Sequence, residues 1–262
     1  MDLNLKGKRA LVCGSTQGIG RAIANQLAEM GASITLIARD ELKLQEVLDE
    51  LPYSDRQKHH YICVDFSNEE RLRTVIDQYL IKEGKVEILI NNTGGPAGGP
   101  ASEADTEDYL SAFRQHLVCN QILAKATIPF MRRVGYGRII NIISTSVKAP
   151  LKGLGVSNTV RGAVANWAKT LANELGKDGI TVNNVLPGAT MTTRLTSIIE
   201  NKAEKTGKSE EEVKQAMLAQ IPANRFAEAH EVANAAAFLA SPAAGYINGI
   251  NVPVDGGRLS CL

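Results

Sequence analysis

The sequence lacks an excess of charge of either sign, and it has no long hydrophobic run. Its 262 residues include 29 Lys and Arg against 28 Asp and Glu, which gives a formal net charge of +1. Nucleic acids and anionic membranes are bound through clustered positive charge, so this balance argues against both as main partners. No apolar run approaches the ~20 residues that a membrane helix needs, and the first residues do not resemble a signal peptide.

Cysteine spacing that would indicate disulfides or a metal site is also missing. The four cysteines are scattered, without a C-x-x-C pair, at Cys13, Cys63, Cys119 and Cys261. Such usage is typical of free thiols in a reducing compartment. Together with the lack of a signal peptide, it predicts a cytoplasmic protein without a bound metal ion.

Short apolar runs rich in β-branched residues alternate with longer segments of helical period. Several runs are apolar on both faces, as expected for parallel strands covered by helices above and below. The strand candidates are 9–13, 33–38, 60–64, 86–90, 138–143, 180–186 and 250–254, and the helix candidates are 18–30, 41–51, 68–83, 107–134, 156–177 and 229–240. This alternation predicts an α/β fold, a single-domain Rossmann-like doubly wound parallel sheet of about seven strands with helices on both faces.

Local signals add two helix starts and one irregular segment. Capping-box spacing at Ser67 with Glu70, and at Ser209 with Glu212, predicts that helices begin there. The segment 190–227 is strongly charged. It is either a solvated helical face or a mobile substrate lid, because an insertion after a strand's carboxyl end lies on the binding edge of such a sheet.

Glycines stand between the first strand candidate and the first helix candidate. The segment reads Gly14, Ser15, Thr16, Gln17, Gly18, Ile19 and Gly20. Residues without side chains let the backbone approach a pyrophosphate closely while the N–H groups of the helix point at it. The segment therefore predicts a dinucleotide site, and a tight turn with glycines for packing is the alternative.

The spacing Gly-x-x-x-Gly-x-Gly resembles the short-chain dehydrogenase/reductase family, and three further segments extend the resemblance over nearly the whole chain. These are Asn91-Asn92-Thr93-Gly94, the Asn-x-x-x-Pro-Gly segment 183–188, and Val254-Asp255-Gly256-Gly257. The chain is most similar to 3-oxoacyl-acyl-carrier-protein reductase-like members. The resemblance implies one domain over residues 1–262, a small-molecule carbonyl or alcohol substrate, and a homo-oligomer, either a dimer or a tetramer. It also implies that cofactor contacts extend to Asp65, Phe66, Asn92, Thr93, Gly94, Arg161, Pro187, Gly188 and Thr190.

The end of the second strand candidate indicates which cofactor is used. A member that prefers NAD is expected to carry an acid there, which accepts hydrogen bonds from the ribose 2′-hydroxyl. In this chain Arg39 follows the strand, and a guanidinium suits a 2′-phosphate, so the sequence favours NADP(H). The alternative is that Arg39 pairs with a surface acid such as Glu41.

The catalytic positions depart from the family pattern of a serine, a Tyr-x-x-x-Lys segment about thirteen residues later, and an asparagine on the preceding long helix. In relatives the tyrosine transfers the proton, the lysine lowers its pKa and holds the nicotinamide ribose, the serine orients the carbonyl, and the asparagine supports a water relay. Alignment from residues 162–164 places Ser157 and Arg161 at the tyrosine and lysine positions. Ser144 then matches the serine, and His116, found by counting back 28 residues from it, falls at the asparagine position.

Each replacement changes what the residue can do. Ser157 is a far weaker acid than a tyrosine of pKa ~10, and its oxygen ends roughly 4 Å short of a phenol's, so we expect no direct proton transfer from it. Arg161 can hold ribose hydroxyls and supply positive charge, but it stays protonated. His116, with an ordinary pKa near ~6.5, or a bound water is then the expected proton source. Lys148 and Lys152 are more simply interpreted as solvated loop lysines.

Two hypotheses of different classes follow. In the first, the protein is an NADP(H)-dependent oxidoreductase that reduces a ketone or 3-oxoacyl carbonyl to an alcohol by hydride transfer. In the second, it is a catalytically silent NADP(H)-binding or sensing protein that has kept the fold and lost the tyrosine and lysine. The intact Ser144 and cofactor segments favour the reductase.

Overall fold

The computed structural model describes residues 1–54 and 56–261, and within them seven parallel strands form one sheet. The strands are β1 (Arg9–Cys13), β2 (Ser33–Ala38), β3 (His60–Cys63), β4 (Ile88–Asn91), β5 (Gly137–Ile142), β6 (Ile180–Pro187) and β7 (Asn251–Val254). Their order across the sheet is β3-β2-β1-β4-β5-β6-β7, and every neighbouring pair is parallel. The predicted fold class, a Rossmann-like doubly wound sheet, is confirmed.

Helices cover both faces because parallel neighbours need crossover connections. They are α1 (Gly18–Glu29), α2 (Glu41–Glu50), α3 (Glu69–Glu83), α4 (Thr106–Phe113), α5 (Cys119–Val134), α6 (Gly155–Leu175), α7 (Thr193–Thr206), α8 (Glu210–Leu218) and α9 (Ala229–Ala240). One apolar core contains residues of α1, α2 and α9, and a second contains residues of α3, α5 and α6 on the opposite face. Leu11 and Val12, neighbours on β1, belong to the two different cores, which explains why its sequence is apolar throughout.

The helices differ from the sequence prediction at three points. The predicted helix 107–134 is interrupted by a π-helical segment, Arg114–Val118, between α4 and α5. The charged segment 190–227 contains α7 and α8, and α8 begins at the predicted capping box of Ser209 and Glu212. The prediction that Ser67 caps a helix is wrong. Asn68 caps α3 instead, because its side chain accepts the Arg71 N–H.

A row of asparagine side chains crosses the sheet near its carboxyl edge. Asn91, Asn141, Asn184 and Asn251 occupy paired positions on β4 to β7. Their amides bond in sequence across the strands at 2.8, 2.9 and 2.8 Å. A shift of one residue would break every bond in the row, so these amides, of which all but the half-buried Asn251 are buried, fix the register of the strands that carry the predicted site.

Candidate active site

The predicted site lies at the carboxyl edge of the sheet, where β1 and β4 are neighbours. The chain runs outward from β1 through β2 to β3 and then returns to β4, so this pair is the topological switch point. In doubly wound sheets, ligands bind in the crevice outside the strand ends at that point. The glycine segment after β1 and the Asn91-Asn92-Thr93-Gly94 segment that ends β4 and continues beyond it both border this crevice.

Close backbone packing explains two of the glycines in this crevice. A Cβ on Gly20 would stand 2.1 Å from the Gly14 carbonyl oxygen, and one on Gly14 would stand 2.7 Å from the Asn92 carbonyl oxygen. Gly14 also adopts a φ of +58°, which side chains disfavour. The Asn92 amide donates hydrogen bonds to the carbonyls of Cys13 and Gly14 at 3.2 and 3.3 Å. The turn between β1 and α1 is therefore held tightly against the end of β4.

The N-terminus of α1 is left open to an anion. Within the described residues, the Gln17 side chain makes no capping hydrogen bond, and the first turn of α1 contains no acidic residue. Four other helices are capped by the side chain of the N-cap residue, at Asp40 in α2, Asn68 in α3, Thr192 in α7 and Ser209 in α8. Since the first N–H groups of a helix need acceptors, this terminus suits a phosphate.

The other residues of the glycine segment differ in how far they are buried. Ser15 is buried, and its Oγ accepts the Ile37 N–H at 3.1 Å, which ties the segment to β2. Thr16 and Ile19 are half-buried, while Gln17 is exposed. Gly18 faces α7, because a Cβ there would stand 3.1 Å from Thr192 Cγ2. Ser15 is therefore part of the support of the crevice, with its hydroxyl already engaged.

The adenosine side of the predicted site carries one exposed arginine. The Arg39 side chain is 79% exposed, and its Nη1 lies 3.8 Å from an oxygen of Asp65. Such an exposed pair contributes little, so the guanidinium can exchange this contact for another anion. The Ser67 N–H donates to Asp65 and holds the pKa of that carboxyl below its ordinary value. Phe66 is half-buried against the core and places its carbonyl near Cys119 Sγ.

The segment after β6 completes the crevice on its far side. Pro187 ends β6, and the Gly188 N–H donates to the Val254 carbonyl at 2.9 Å. Thr190 is buried, and its hydroxyl donates to the Gly188 carbonyl at 3.2 Å. Two residues further, the Thr192 side chain caps α7. The chain therefore turns from the sheet edge directly into the charged helices.

Arg161 reaches the carboxyl ends of β4 and β5 from α6. It is only 7% exposed, and its guanidinium donates to the carbonyls of Ile142 and Thr93 at 3.0 and 3.4 Å. Burial, together with the nearby positive charge of Arg194, lowers the pKa of Arg161 to about 10. Arg161 therefore remains a cation at neutral pH, held against the ends of two strands.

His116 lies in the π-helical segment and is linked to the same loop. It is 2% exposed, and its Nδ1 is hydrogen-bonded to the Thr93 hydroxyl. Burial, and secondarily the charge of Arg161, lowers the pKa of His116 to about 2. The sequence led us to expect a pKa near ~6.5. In the folded protein the imidazole is instead neutral at any physiological pH.

The two predicted catalytic serines lie on opposite sides of the β5–α6 connection. Ser144 follows β5, and its Oγ accepts the Ser146 N–H at 3.1 Å, which leaves its hydroxyl proton to be donated. Ser157 is half-buried in the first turn of α6. Lys148 is half-buried and Lys152 exposed in the connecting loop. The structure thus places Ser144, Arg161 and His116 around the ends of β4 and β5.

A cavity of about 400 Å³ lies beside His116. Its walls come from the β4–α4 loop, the α4 and π-helical segment, Val156 at the start of α6, and Lys205 of α7. Sequence reasoning missed Arg194 of α7, whose Nη2 donates to the Pro96 carbonyl at 2.6 Å and joins α7 to the β4–α4 loop. The only sequence signal was the charged segment itself, which does not distinguish Arg194 from its solvated neighbours.

Residues 1–54 and 56–261 contain no helix with the length and apolar character to cross a membrane. The same residues bring together no group of three or more His, Cys, Asp or Glu side chains that could hold a metal ion.

Comparison with known proteins identifies close relatives of the whole chain. Residues 14–258 match the family described as enoyl-(acyl carrier protein) reductase. The 3-oxoacyl-[acyl-carrier-protein] reductase of Vibrio cholerae is 35% identical over 257 residues, covering 97% of this chain and 98% of that protein. L-sorbose reductase of Gluconobacter frateurii, solved with NADPH and L-sorbose, superposes with a TM-score of 0.93 at 32% identity and full coverage of both chains. YwfH, an NADPH-dependent reductase involved in bacilysin biosynthesis, gives 0.89 at 29% identity, covering 97% of this chain and 99% of that one.

Proposed function

The chain belongs to the short-chain dehydrogenase/reductase family, and we propose that it uses NADPH to reduce a ketone or 3-oxoacyl carbonyl of a small molecule to the alcohol. The observation that carries this proposal is the open N-terminus of α1 above the closely packed Gly14 and Gly20. A pyrophosphate would supply the acceptors that this terminus lacks, and the exposed Arg39 lies on the side where a 2′-phosphate would be met.

The residues around the crevice fit this cofactor, which when bound supplies a hydride. We assign the pyrophosphate to the backbone of the glycine segment and the 2′-phosphate to Arg39. The remaining contacts are assigned to Asp65, Phe66, Asn92, Thr93, Gly94, Arg161, Pro187, Gly188 and Thr190. L-sorbose reductase was solved with NADPH, and YwfH is described as an NADPH-dependent reductase. Both relatives support the phosphorylated cofactor.

On the substrate side, Ser144 and Arg161 act on the carbonyl oxygen. The Ser144 hydroxyl keeps its proton available to hydrogen-bond that oxygen, because its lone pair already accepts from Ser146. The buried positive charge of Arg161 stabilises the negative charge that develops there, and burial strengthens this effect. Ser157 does not donate the proton, since its side chain is short and its hydroxyl is a weak acid.

We assign the proton path to His116 as a neutral relay. When Nδ1 accepts the Thr93 hydroxyl proton, the ring carries its own proton on Nε2. As Nε2 gives its proton to a water in the adjacent cavity, Nδ1 takes the Thr93 hydroxyl proton, so the ring stays neutral and Thr93 is reprotonated from solvent. The low pKa means that His116 passes protons along rather than storing one as an imidazolium.

We further propose that the segment 190–227 acts as a substrate lid. Its first helix, α7, is joined to the β4–α4 loop by the bond from Arg194 to Pro96, and it places Lys205 in the cavity wall. The buried apolar cluster of Leu195, Ile221 and Phe226 lies within the segment, so the segment can move as a unit that admits substrate and then excludes water.

Titration of the purified protein with NADPH, followed by NADPH oxidation across ketones, aldehydes and 3-oxoacyl thioesters, tests this function. We expect tight NADPH binding and turnover of at least one class. Binding without turnover over the whole panel would favour the silent NADP(H)-binding protein. Absence of NADP(H) binding would overturn both hypotheses.

A further inference from the structure

The substrate edge of the site contains positive charge that no acidic group balances. Arg161 is buried, and the charged group that perturbs its pKa is a second cation, Arg194. Over the residues described by the structure, no carboxylate forms an ion pair with either guanidinium. Among the residues that the structure describes, the hydrogen-bond acceptors of Arg161 are the carbonyls of Ile142 and Thr93. A buried charge without a counter-ion is costly, so this arrangement favours an anion that arrives with a ligand.

The two guanidinium groups converge on the bare backbone of Gly95. An ideal Cβ at this residue would stand 3.4 Å from Arg194 Nη2 and 3.9 Å from Arg161 Nη2. The two arginines come from different elements, α7 and α6, and both reach the segment that follows β4. Each Nη2 donates to a backbone carbonyl, of Thr93 or of Pro96, and the remaining N–H donors of the two groups suit a ligand with two acceptor oxygens.

We infer that the carbonyl compound reduced by this protein carries a carboxylate next to its reacting carbonyl, as in a 2-oxo acid, and that Arg194 and Arg161 bind that carboxylate. This inference rests on the proposed function, because it names the substrate class of the same site. It places the carboxylate at Gly95, and the adjacent carbonyl oxygen then lies between Arg161 and Ser144, as in the proposed function. The cavity wall contains two acids, Glu103 and Asp108, and Asp108 is engaged in capping α4, where it accepts the Asp105 N–H.

The phosphates of the cofactor are a second possible anion for this arginine pair, but other groups supply their hydrogen-bond donors. The open N-terminus of α1 and Arg39 supply donors for the pyrophosphate and the 2′-phosphate. Arg161 instead lies at the ends of β4 and β5, where Ser144 and His116 also stand. The cofactor contact of Arg161 is expected at the ribose hydroxyls, which are uncharged, so the positive charge of the pair is assigned to the substrate.

Calorimetric titration of the NADP⁺-loaded protein tests the inference without turnover, since the oxidised cofactor cannot reduce a 2-oxo acid. The probes are phenylglyoxylate and pyruvate, each against its neutral amide, which has nearly the same shape. We expect each acid to bind at least about tenfold more tightly than its amide. Arg194→Gln should abolish most of that preference, Arg194→Lys should restore part of it, and neither should change NADP⁺ affinity.

Arg71→Gln, which removes an exposed arginine of α3, is the matched control and should retain the full preference. Equal binding of acid and amide, or no binding of either acid, would overturn the inference. A loss of NADP⁺ affinity in Arg194→Gln with the preference intact would also overturn it, and would assign the pair to a cofactor phosphate. NADP⁺ binding by the parent protein is measured separately. Its absence would contradict the proposed function, whereas normal NADP⁺ binding without a preference for the acid would contradict only the carboxylate inference.

Discussion

Two regions lie at the same end of the sheet, yet they are built by different means. One is the proposed nucleotide crevice around Gly14 and Gly20, and the other is the proposed proton-transfer edge around Arg161 and His116. The crevice depends on backbone, because Gly14 and Gly20 allow main-chain atoms to approach where no side chain fits. The proton-transfer edge depends on side chains, and there Arg161 and His116 are buried ionisable groups whose pKa values are both lowered. The first region tolerates little change in shape, whereas the second tolerates a change in chemistry.

If Ser157 occupies the tyrosine position, as we propose, this difference explains how a short-chain dehydrogenase/reductase can keep one half of its site while the other half departs from the family pattern. A serine in place of a tyrosine removes atoms and leaves the strands and helices in place. Insertion of even one methyl group at Gly20 would displace the main chain of the neighbouring turn. Evolution of new chemistry is therefore expected at α6 and the π-helical segment rather than at the glycine turn.

The largest effect is expected from Gly20→Ala. The added Cβ would stand 2.1 Å from the Gly14 carbonyl oxygen, so that oxygen must move by about an ångström. We expect the free energy of unfolding to fall by about 3 kcal/mol. NADPH affinity should fall on the order of 100-fold, because the phosphate donors are displaced with the turn. Urea unfolding and NADPH fluorescence titration measure the two effects.

Gly162→Ala on α6 is the matched control, since no heavy atom lies within 4 Å of its ideal Cβ. It should leave NADPH affinity unchanged and raise helix stability by roughly 0.5–1 kcal/mol. Normal NADPH binding by Gly20→Ala would show that close packing of the turn is not what shapes the crevice.

Most of the fold could be predicted from the sequence because several strands are apolar on both faces and the crossover segments between them have helical periodicity. The seven strand candidates match the observed strands to within two residues at each end. The interruption of the long helix at Arg114–Val118 could not be predicted, because a π turn replaces one hydrogen-bond pattern by another without a change in apolar spacing. Asn68 replaced Ser67 as a cap for a similar reason, since either side chain can accept the N–H.

The parts of the site that depend on backbone conformation could be predicted from sequence motifs. The parts that depend on contacts between distant elements could not. The glycine segment and Arg39 follow directly from strand ends. The low pKa of His116 could not be predicted, because it arises from burial against Thr93 and Arg161, which are 23 and 45 residues away along the chain. Arg194 was missed because its partner Pro96 is 98 residues away.

A second prediction concerns a variant that restores the family's tyrosine and lysine at their expected positions. The double variant Ser157→Tyr with Arg161→Lys supplies a phenol whose pKa a neighbouring ammonium lowers. General acid catalysis contributes about 100-fold or more, so we expect kcat for neutral ketones to rise by about that factor at pH 7. Steady-state NADPH oxidation over a pH series measures it, and a new ionisation should appear in the profile.

The control for this variant is Ser157→Phe with Arg161→Lys, which adds the ring without the hydroxyl. It should show no gain in kcat. Equal rates in the two double variants would mean that the ring acts by packing, and that Ser157 does not occupy the proton donor's position.

A third prediction concerns acid stability. The unfolded chain takes up a proton at His116 near pH ~6.5, whereas the folded protein does so only at about 2. Because the unfolded state binds more protons between these values, stability falls as pH decreases below ~6.5, by about 1.4 kcal/mol per pH unit for this group. His116→Asn should remove that share of the slope. Urea unfolding at pH 7.0, 6.0 and 5.0 gives the difference between parent and variant.

The exposed His230→Asn on α9 serves as the reference variant in the same series, since it changes no buried group. A slope in His116→Asn equal to that of the parent would mean that His116 is protonated in the folded protein. The neutral relay would then be replaced by an imidazolium acid.

The smallest effect is expected at the exposed end of the nucleotide crevice. Arg39→Gln removes the guanidinium assigned to the 2′-phosphate, and we expect NADPH affinity to fall about tenfold while NADH affinity stays the same. Because the side chain is 79% exposed, salt screens this contact, and the difference should shrink between 50 mM and 500 mM salt. Fluorescence titration with both cofactors measures it. An equal loss of NADH affinity would mean that Arg39 supports the crevice instead of selecting the cofactor. The choice of cofactor would then depend on the backbone of the nucleotide crevice, like the binding of the pyrophosphate.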